Sequence, residues 1–210
     1  MGVFLGYASR FGQALIDRQL YLPEAWANDE ERRRTAAVPQ EVTFQTKPAI
    51  AANLIAAALD AGARCAFVLA DALYGSDSRL RRMLEARGQP YVLATRSNHT
   101  LRLVTQAGLV QTDPATLAEA LPSEAWATHA AGEGTKGLRL YDWARIALPW
   151  AVDAEFERWV LIRRNRRDST DRAYYLVFAR AGTTLAELAG AAGLQCRRIS
   201  VVPCSICGQS

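Results

Sequence analysis

A short apolar run that ends on an aspartate constrains the fold of this chain more than any other feature. The run begins at Ala66 and ends at Asp71, within the segment AFVLADALYG that extends to Gly75. It is too short for a stable helix and rich in Val, Leu and Phe, which predicts a buried strand with Asp71 at its carboxyl end. Open α/β sheets place their chemistry at that edge. Asp71 is therefore a candidate metal ligand, and the alternative is that it only caps the turn that follows.

The segments around this run predict an α/β fold. A helix is expected from Lys47 to Ala61, and a second one from Asp77 to Ala86, capped by Ser76 or Ser78. Two early strands around a tight turn, followed by alternating helix and strand, are typical of a mixed sheet with flanking helices. We expect four strands to share one sheet: Val3 to Ala8, Leu15 to Leu20, Ala66 to Ala70, and Tyr91 to Ala94.

Composition limits the classes of protein to consider. The chain has 210 residues, of which 50% are hydrophobic and 22% charged, and its net charge is +4. A mild basic excess fits a nucleic-acid partner without proving one. No apolar stretch approaches the 18 or so residues that a membrane span needs, so a cytoplasmic location is expected.

Cysteine spacing gives one further metal hypothesis. Cys65 precedes the buried run and is most simply a small core residue, whereas Cys196, Cys204 and Cys207 crowd the end of the sequence. The spacing C-S-I-C is half of a zinc knuckle, and His99 or His129 would have to complete the site. The alternative is a tail without a metal.

Seven blocks along the chain resemble one family of proteins. In order, the blocks are MGVFLGYAS, ALIDRQLYLPEAW, TKPAIAANLIAAALDAG, ADALYG, LEARGQPYVLATR, GTKGLRLYDWA and AYYLVFARAGTTLAEL. Together they are similar to the DDE-type transposases of bacterial insertion sequences, in the branch named after insertion sequence 701, from Gly2 to Gly193. The resemblance implies a ribonuclease-H-like mixed sheet in which two aspartates and a glutamate bind two Mg²⁺ or Mn²⁺ ions. Asp71 matches the second aspartate.

Two departures from the family pattern shape the functional expectation. The family's first aspartate lies upstream of the block that begins at Met1, and no acidic residue follows Glu187, which is too early to be the family's glutamate. We therefore expect a transposase fragment, incomplete at both ends and inactive alone. The alternatives are a DNA-binding or self-associating remnant, and another ribonuclease-H-like nuclease. The expected division is a partial core (1–99), an inserted β-rich segment (100–180), the start of a core helix (181–193) and a divergent tail (194–210).

Two basic loops are candidate DNA contacts. The glycine-rich AAGEGTKG carries Lys136 and is followed by Arg139, and a flexible turn is the alternative there. The second loop, RRNRRDSTDR, connects two expected strands and could equally be an ordinary hairpin loop. Its candidate phosphate ligands are Arg163, Arg164, Arg166 and Arg167. Arginine suits this role because its planar guanidinium group binds phosphate through two hydrogen bonds.

Overall fold

The computed structural model describes residues 1–9, 11–105, 108–134, 137–148 and 154–195. The chain divides into two compact units, and the second begins at Cys65. Lys136 and the three cysteines of the tail lie outside the described residues, so the hypotheses that involve them stay predictions.

The first unit is a two-stranded antiparallel sheet with three helices. Strand β1 (Gly2–Ser9) pairs with β2 (Gly12–Leu20), as the sequence predicts. The charged segment after β2 forms two short helices, α1 (Glu24–Ala27) and α2 (Glu30–Thr35). Helix α3 (Lys47–Asp60) confirms the predicted helix: Thr46 caps its first turn, and Ile50, Leu54 and Ile55 are buried at helical spacing.

The second unit is built on a six-stranded mixed sheet. Strand β3 is parallel to β4, and the other neighbouring strands are antiparallel, in the order β3-β4-β10-β9-β8-β7. Its strands are β3 (Val68–Ala70), β4 (Tyr91–Thr95), β7 (Ala127–Gly134), β8 (Gly137–Ala147), β9 (Phe156–Arg164) and β10 (Arg172–Arg180). The remaining elements are α4 (Ala72–Gly75), α5 (Ser78–Ala86), the hairpin β5 (Leu101–Thr105) and β6 (Gly108–Thr112), α6 (Pro114–Glu119), a 3-10 turn (Ser123–Ala125) and α7 (Leu185–Gln195).

The prediction that the four N-terminal strands share one sheet is wrong. Strands β1 and β2 form a two-stranded sheet of their own, and β4 pairs with β10 on the side away from β3. The register places Val92 opposite Val177, which is 85 residues later in the chain. Apolar periodicity indicates that a segment is a strand, but it carries no information about so distant a partner. The α/β class with a mixed sheet and flanking helices is confirmed.

One face of the sheet packs against α7. Leu188, Ala189 and Ala192 of the helix lie in a buried cluster with Trp143 of β8 and Trp159 of β9. The approach is close at Gly193: a Cβ built there would lie 2.2 Å from the carbonyl oxygen of Ala131. A glycine is therefore required for α7 to contact β7 at this distance.

Helix α5 begins at a different cap from the expected one. The carboxylate of Asp77, and neither Ser76 nor Ser78, accepts the backbone N–H groups of Arg79 and Leu80, at 2.8 and 2.9 Å. A carboxylate is also favoured there by the helix dipole. The apolar face is confirmed, since Leu80 and Leu84 are fully buried.

We predict that Asp77→Ala lowers the free energy of unfolding by about 1 kcal/mol, because two N–H groups at the helix start lose their acceptor. Urea denaturation measures the loss. Asp77→Asn is the matched control, since an asparagine side chain retains an acceptor oxygen at this position. Equal losses in both variants would show that the cap is not the cause.

Candidate functional site

Asp71 directly follows β3, at the carboxyl end of a strand that runs parallel to β4. This is the placement that the sequence predicts. The side chain is exposed, and its Oδ1 atom accepts the backbone N–H of Leu73 at 2.9 Å, which makes Asp71 the N-cap of the single-turn helix α4. The capping role that the sequence analysis left open is therefore present in the structure.

Two neighbours of Asp71 fix its position on the sheet. Tyr74 is fully buried, and its hydroxyl has no hydrogen-bond partner among the described residues. Burial first, and the nearby charge of Asp71 second, raise the pKa of Tyr74. Gly75 lies against the next strand, since a Cβ there would be 2.0 Å from the carbonyl oxygen of Ala94. The sequence D-x-x-Y-G thus combines a cap, a buried ring and a close backbone approach.

The described residues do not surround Asp71 with further metal ligands. Within them, no group of three or more His, Cys, Asp or Glu side chains could hold a metal ion. Two acids near this part of the chain have other partners: Asp77 caps α5, and Glu85 pairs with Arg158 of β9. Asp71 alone fits as one carboxylate ligand of a divalent ion, whereas a two-ion site needs more carboxylates than this part of the chain offers.

Glu187 also has a structural partner. Its exposed carboxylate accepts the backbone N–H of Thr184 at 2.8 Å, and the Thr184 hydroxyl accepts the N–H of Glu187 in return. This reciprocal pair is a capping box at the start of α7. The backbone hydrogen bond lowers the pKa of Glu187. Glu187 is therefore an exposed residue that caps the start of α7.

Arg139 is engaged inside the second unit. Its guanidinium group donates to the carbonyl oxygen of Ala131 at 2.8 Å and to that of Gly193 at 3.1 Å. The side chain therefore links β7 to the end of α7. Both carbonyl oxygens accept hydrogen bonds from Nη2 of Arg139, so this nitrogen is already used within the protein and does not donate to a DNA phosphate.

The arginines of the second basic loop divide into two pairs. Arg163 and Arg164 are the last residues of β9, and both stack on aromatic rings: Arg163 lies 4.5 Å from the centroid of Tyr141, and Arg164 lies 4.0 Å from that of Trp126. Such stacking holds a guanidinium group in place. Arg164 also pairs with Asp142 at 3.3 Å.

Arg166 and Arg167 are the accessible pair. Both are exposed and lie in the turn between β9 and β10. Arg166 approaches Asp142 only to 3.8 Å, and 52% of its side-chain surface is exposed. These two side chains are the members of the predicted set best placed to reach a large ligand.

A pocket of about 470 Å³ lies beside α5, and no sequence pattern predicted it. Its charged lining residues are Arg81, Arg82, Glu85, Arg102 and Arg158. The spacing of Arg81, Arg82 and Glu85 along α5 indicates one helix face, but the partners from other elements could not be inferred from it.

The fold and the site together define an α/β protein with an acidic residue at the carboxyl end of a strand in a mixed sheet. The family model of the DDE superfamily endonucleases matches residues 1–146, about two thirds of the chain. The chain belongs to this family. A search of curated proteins gave no match.

The family establishes a transposase or nuclease type of function. Nucleases of this superfamily act on DNA and typically use divalent metals. None of the helices in the described residues is long and apolar enough to span a membrane.

Proposed function

We propose that this chain forms part of the catalytic core of a DNA transposase of the insertion-sequence type, in the branch named after insertion sequence 701. The fold would then be ribonuclease-H-like, with Asp71 as one of its metal-binding carboxylates. One observation carries the proposal: the segment that matches the DDE superfamily endonucleases places a single exposed aspartate at the carboxyl end of β3. Catalytic carboxylates of α/β sheets lie at this edge.

Asp71 is suited to bind a metal ion and to stay in place. Its backbone continues from β3, and the close contact of Gly75 with Ala94 holds the following turn against β4. Among the described residues, its carboxylate accepts one hydrogen bond, from the N–H of Leu73 to Oδ1. An exposed carboxylate on a rigid strand end could therefore bind a hard cation together with a DNA phosphate and water.

Binding of Mn²⁺ tests the role of Asp71 without any need for activity. We expect paramagnetic Mn²⁺ to broaden the amide signals of residues 70–73 in the NMR spectrum of the chain. Asp71→Asn should abolish this broadening, because the amide retains the cap but loses the negative charge. Asp77→Asn is the matched control, since Asp77 is also an aspartate that caps a helix, and it should leave the broadening at residues 70–73 unchanged. Broadening that survives Asp71→Asn, or none in the original chain, would remove Asp71 from the proposed site.

We further propose that the 210-residue chain by itself does not cut DNA. Cleavage by in-line displacement at phosphorus needs charge stabilisation on both the entering and the leaving oxygen, which one carboxylate with one ion cannot provide. A single carboxylate also orients the phosphate less well than several would, and this further raises the barrier.

The expected result is that the purified chain, with Mg²⁺ or Mn²⁺, does not nick supercoiled plasmid above the protein-free background. Gel electrophoresis of relaxed and supercoiled forms measures it, with Asp71→Ala as the comparison. Nicking that disappears in Asp71→Ala would contradict the proposal, because it would show that the chain completes a site on its own.

A second candidate function is a non-catalytic DNA-binding remnant that could also associate with transposase subunits. The exposed pair Arg166 and Arg167 favours it, because exposed arginines in a turn can contact phosphates without a metal site. The two candidates differ in the Mn²⁺ experiment, since only the first requires a metal at Asp71.

A further inference from the structure

The pocket beside α5 is built by several elements of the second unit. Helix α5 contributes one face, and β4, β9 and β10 contribute the sheet side. The segment from His99 to Arg102 and the residue Leu148 after β8 form the remaining walls. The pocket volume of about 470 Å³ falls within the range of small-molecule sites, which is roughly 300 to 1,000 Å³.

Its charge is predominantly positive. Four arginines line the pocket, and Glu85 is the one carboxylate among the described lining residues. Glu85 is already neutralised: Arg158 donates to both of its oxygens, and the Tyr91 hydroxyl donates to Oε1 at 2.7 Å. The positive charges contributed by α5 therefore lack a carboxylate partner in the pocket wall.

Two arginines of α5 are held in place by backbone carbonyls. Arg81 donates to the carbonyl oxygen of Gly75, and the Nε of Arg82 donates to that of Ser78 at 3.2 Å. A carbonyl orients a guanidinium group but does not cancel its charge. The field of Arg81 acts on the opposite wall, since burial first and this charge second lower the pKa of His99.

Apart from His99, the rest of the lining is apolar or carries a hydroxyl. Leu101, Leu148 and Leu176 supply aliphatic surface, and Ser78 and Thr100 supply hydroxyl groups. This lining suits a ligand that combines an anionic group with an apolar body of moderate size. Phosphate suits the arginines because their planar forks match its oxygens, and a nucleobase suits the aliphatic wall.

We propose that this pocket binds one nucleotide unit, with its phosphate on Arg81 and Arg82 and its base against the aliphatic wall. The unit can come from a free nucleotide or from a DNA strand. Neither Asp71 nor the loop arginines line the pocket, so this inference does not depend on the proposed function.

Binding of three probes tests the proposal: deoxyadenosine monophosphate, inorganic phosphate and a five-nucleotide single strand. Isothermal titration calorimetry gives the affinities for the original chain and for Arg82→Glu. We expect Arg82→Glu to weaken nucleotide binding at least about tenfold, which is the scale of one hydrogen-bonded charge pair. Arg79→Glu is the matched control, because Arg79 is an exposed arginine of the same helix that does not line the pocket, and it should change the affinity less than about twofold.

The probes also separate the parts of the proposal. Tighter binding of the nucleotide than of inorganic phosphate supports a contact with the base, whereas equal binding overturns it. A five-nucleotide strand that binds while the free nucleotide does not would identify DNA as the source, and the reverse would identify a free nucleotide. Equal losses in Arg82→Glu and Arg79→Glu, or none in either, would overturn the pocket assignment. Circular dichroism of both variants confirms that the helix is retained.

Discussion

Replacing Gly193 with alanine is expected to lower the free energy of unfolding by about 3 kcal/mol, because added volume in a packed contact forces the backbone to shift. The new Cβ would lie 2.2 Å from the carbonyl oxygen of Ala131, 2.5 Å from its carbonyl carbon and 2.6 Å from its Cα. All three are backbone atoms of β7, so no side chain can rotate away. Helix α7 would have to move off the sheet that its buried residues cover. Urea denaturation, followed by far-ultraviolet circular dichroism, measures the change.

The same helix contains the control. A Cβ at Gly190 would meet nothing within 4 Å. Alanine is favoured over glycine inside a helix, so Gly190→Ala should raise the free energy of unfolding by about 0.5 to 1 kcal/mol. Opposite signs for the two substitutions are the expected outcome. A stabilising Gly193→Ala would show that α7 does not contact β7 as closely as described.

Binding to random duplex DNA should depend steeply on salt. If Arg166 and Arg167 each neutralise one phosphate, the binding constant should fall with a logarithmic slope of about −1.8, which is roughly a twelvefold loss between 50 and 200 mM salt. The dependence on salt arises because binding releases counterions from the DNA, and this release becomes less favourable as the salt concentration rises. Fluorescence anisotropy of a labelled duplex at several salt concentrations measures the slope.

The double variant Arg166→Ala/Arg167→Ala should bring this slope close to zero. The control is Arg32→Ala/Arg34→Ala, which removes the same net charge from two exposed positions on α2. That pair lies in the charged segment after β2, and α2 has no buried residues. We expect these arginines to be solvated and not to contact DNA, so the slope of this variant should match that of the original chain. A loss of slope in the α2 variant instead would show that the net charge, and not the β9–β10 turn, carries binding.

The features that the sequence predicted well are local ones. Strand β3, helix α3 and the position of Asp71 after a strand each depend on a few consecutive residues, whose apolar spacing sets the element type. Even here the finer detail differed: β3 covers only Val68–Ala70, because only these residues pair with β4. The cap of α5 was also missed, since a serine and an aspartate compete at adjacent positions and the pattern does not decide between them.

The features that the sequence could not predict depend on distant partners. The pairing of β4 with β10 and the separate sheet of β1 and β2 are choices among strands with similar apolar patterns. The arginines of the second basic loop show the same limit of prediction from sequence. Arg163 and Arg166 are alike in the sequence, yet one stacks on Tyr141 of β8 and the other is exposed. Only the folded arrangement distinguishes a structural arginine from an accessible one.

The two terminal strands of the six-stranded sheet differ in how they protect the protein from aggregation. An edge strand with free backbone groups can pair with the edge of another molecule. Strand β3 is only three residues long, so it presents few such groups. Strand β7 is longer, but its register shifts between Ala130 and Glu133, and this irregularity interrupts a continuous ladder. In the described part of the chain, both edges are therefore poor templates for intermolecular β-pairing, which favours a sheet that stays within one molecule at high concentration.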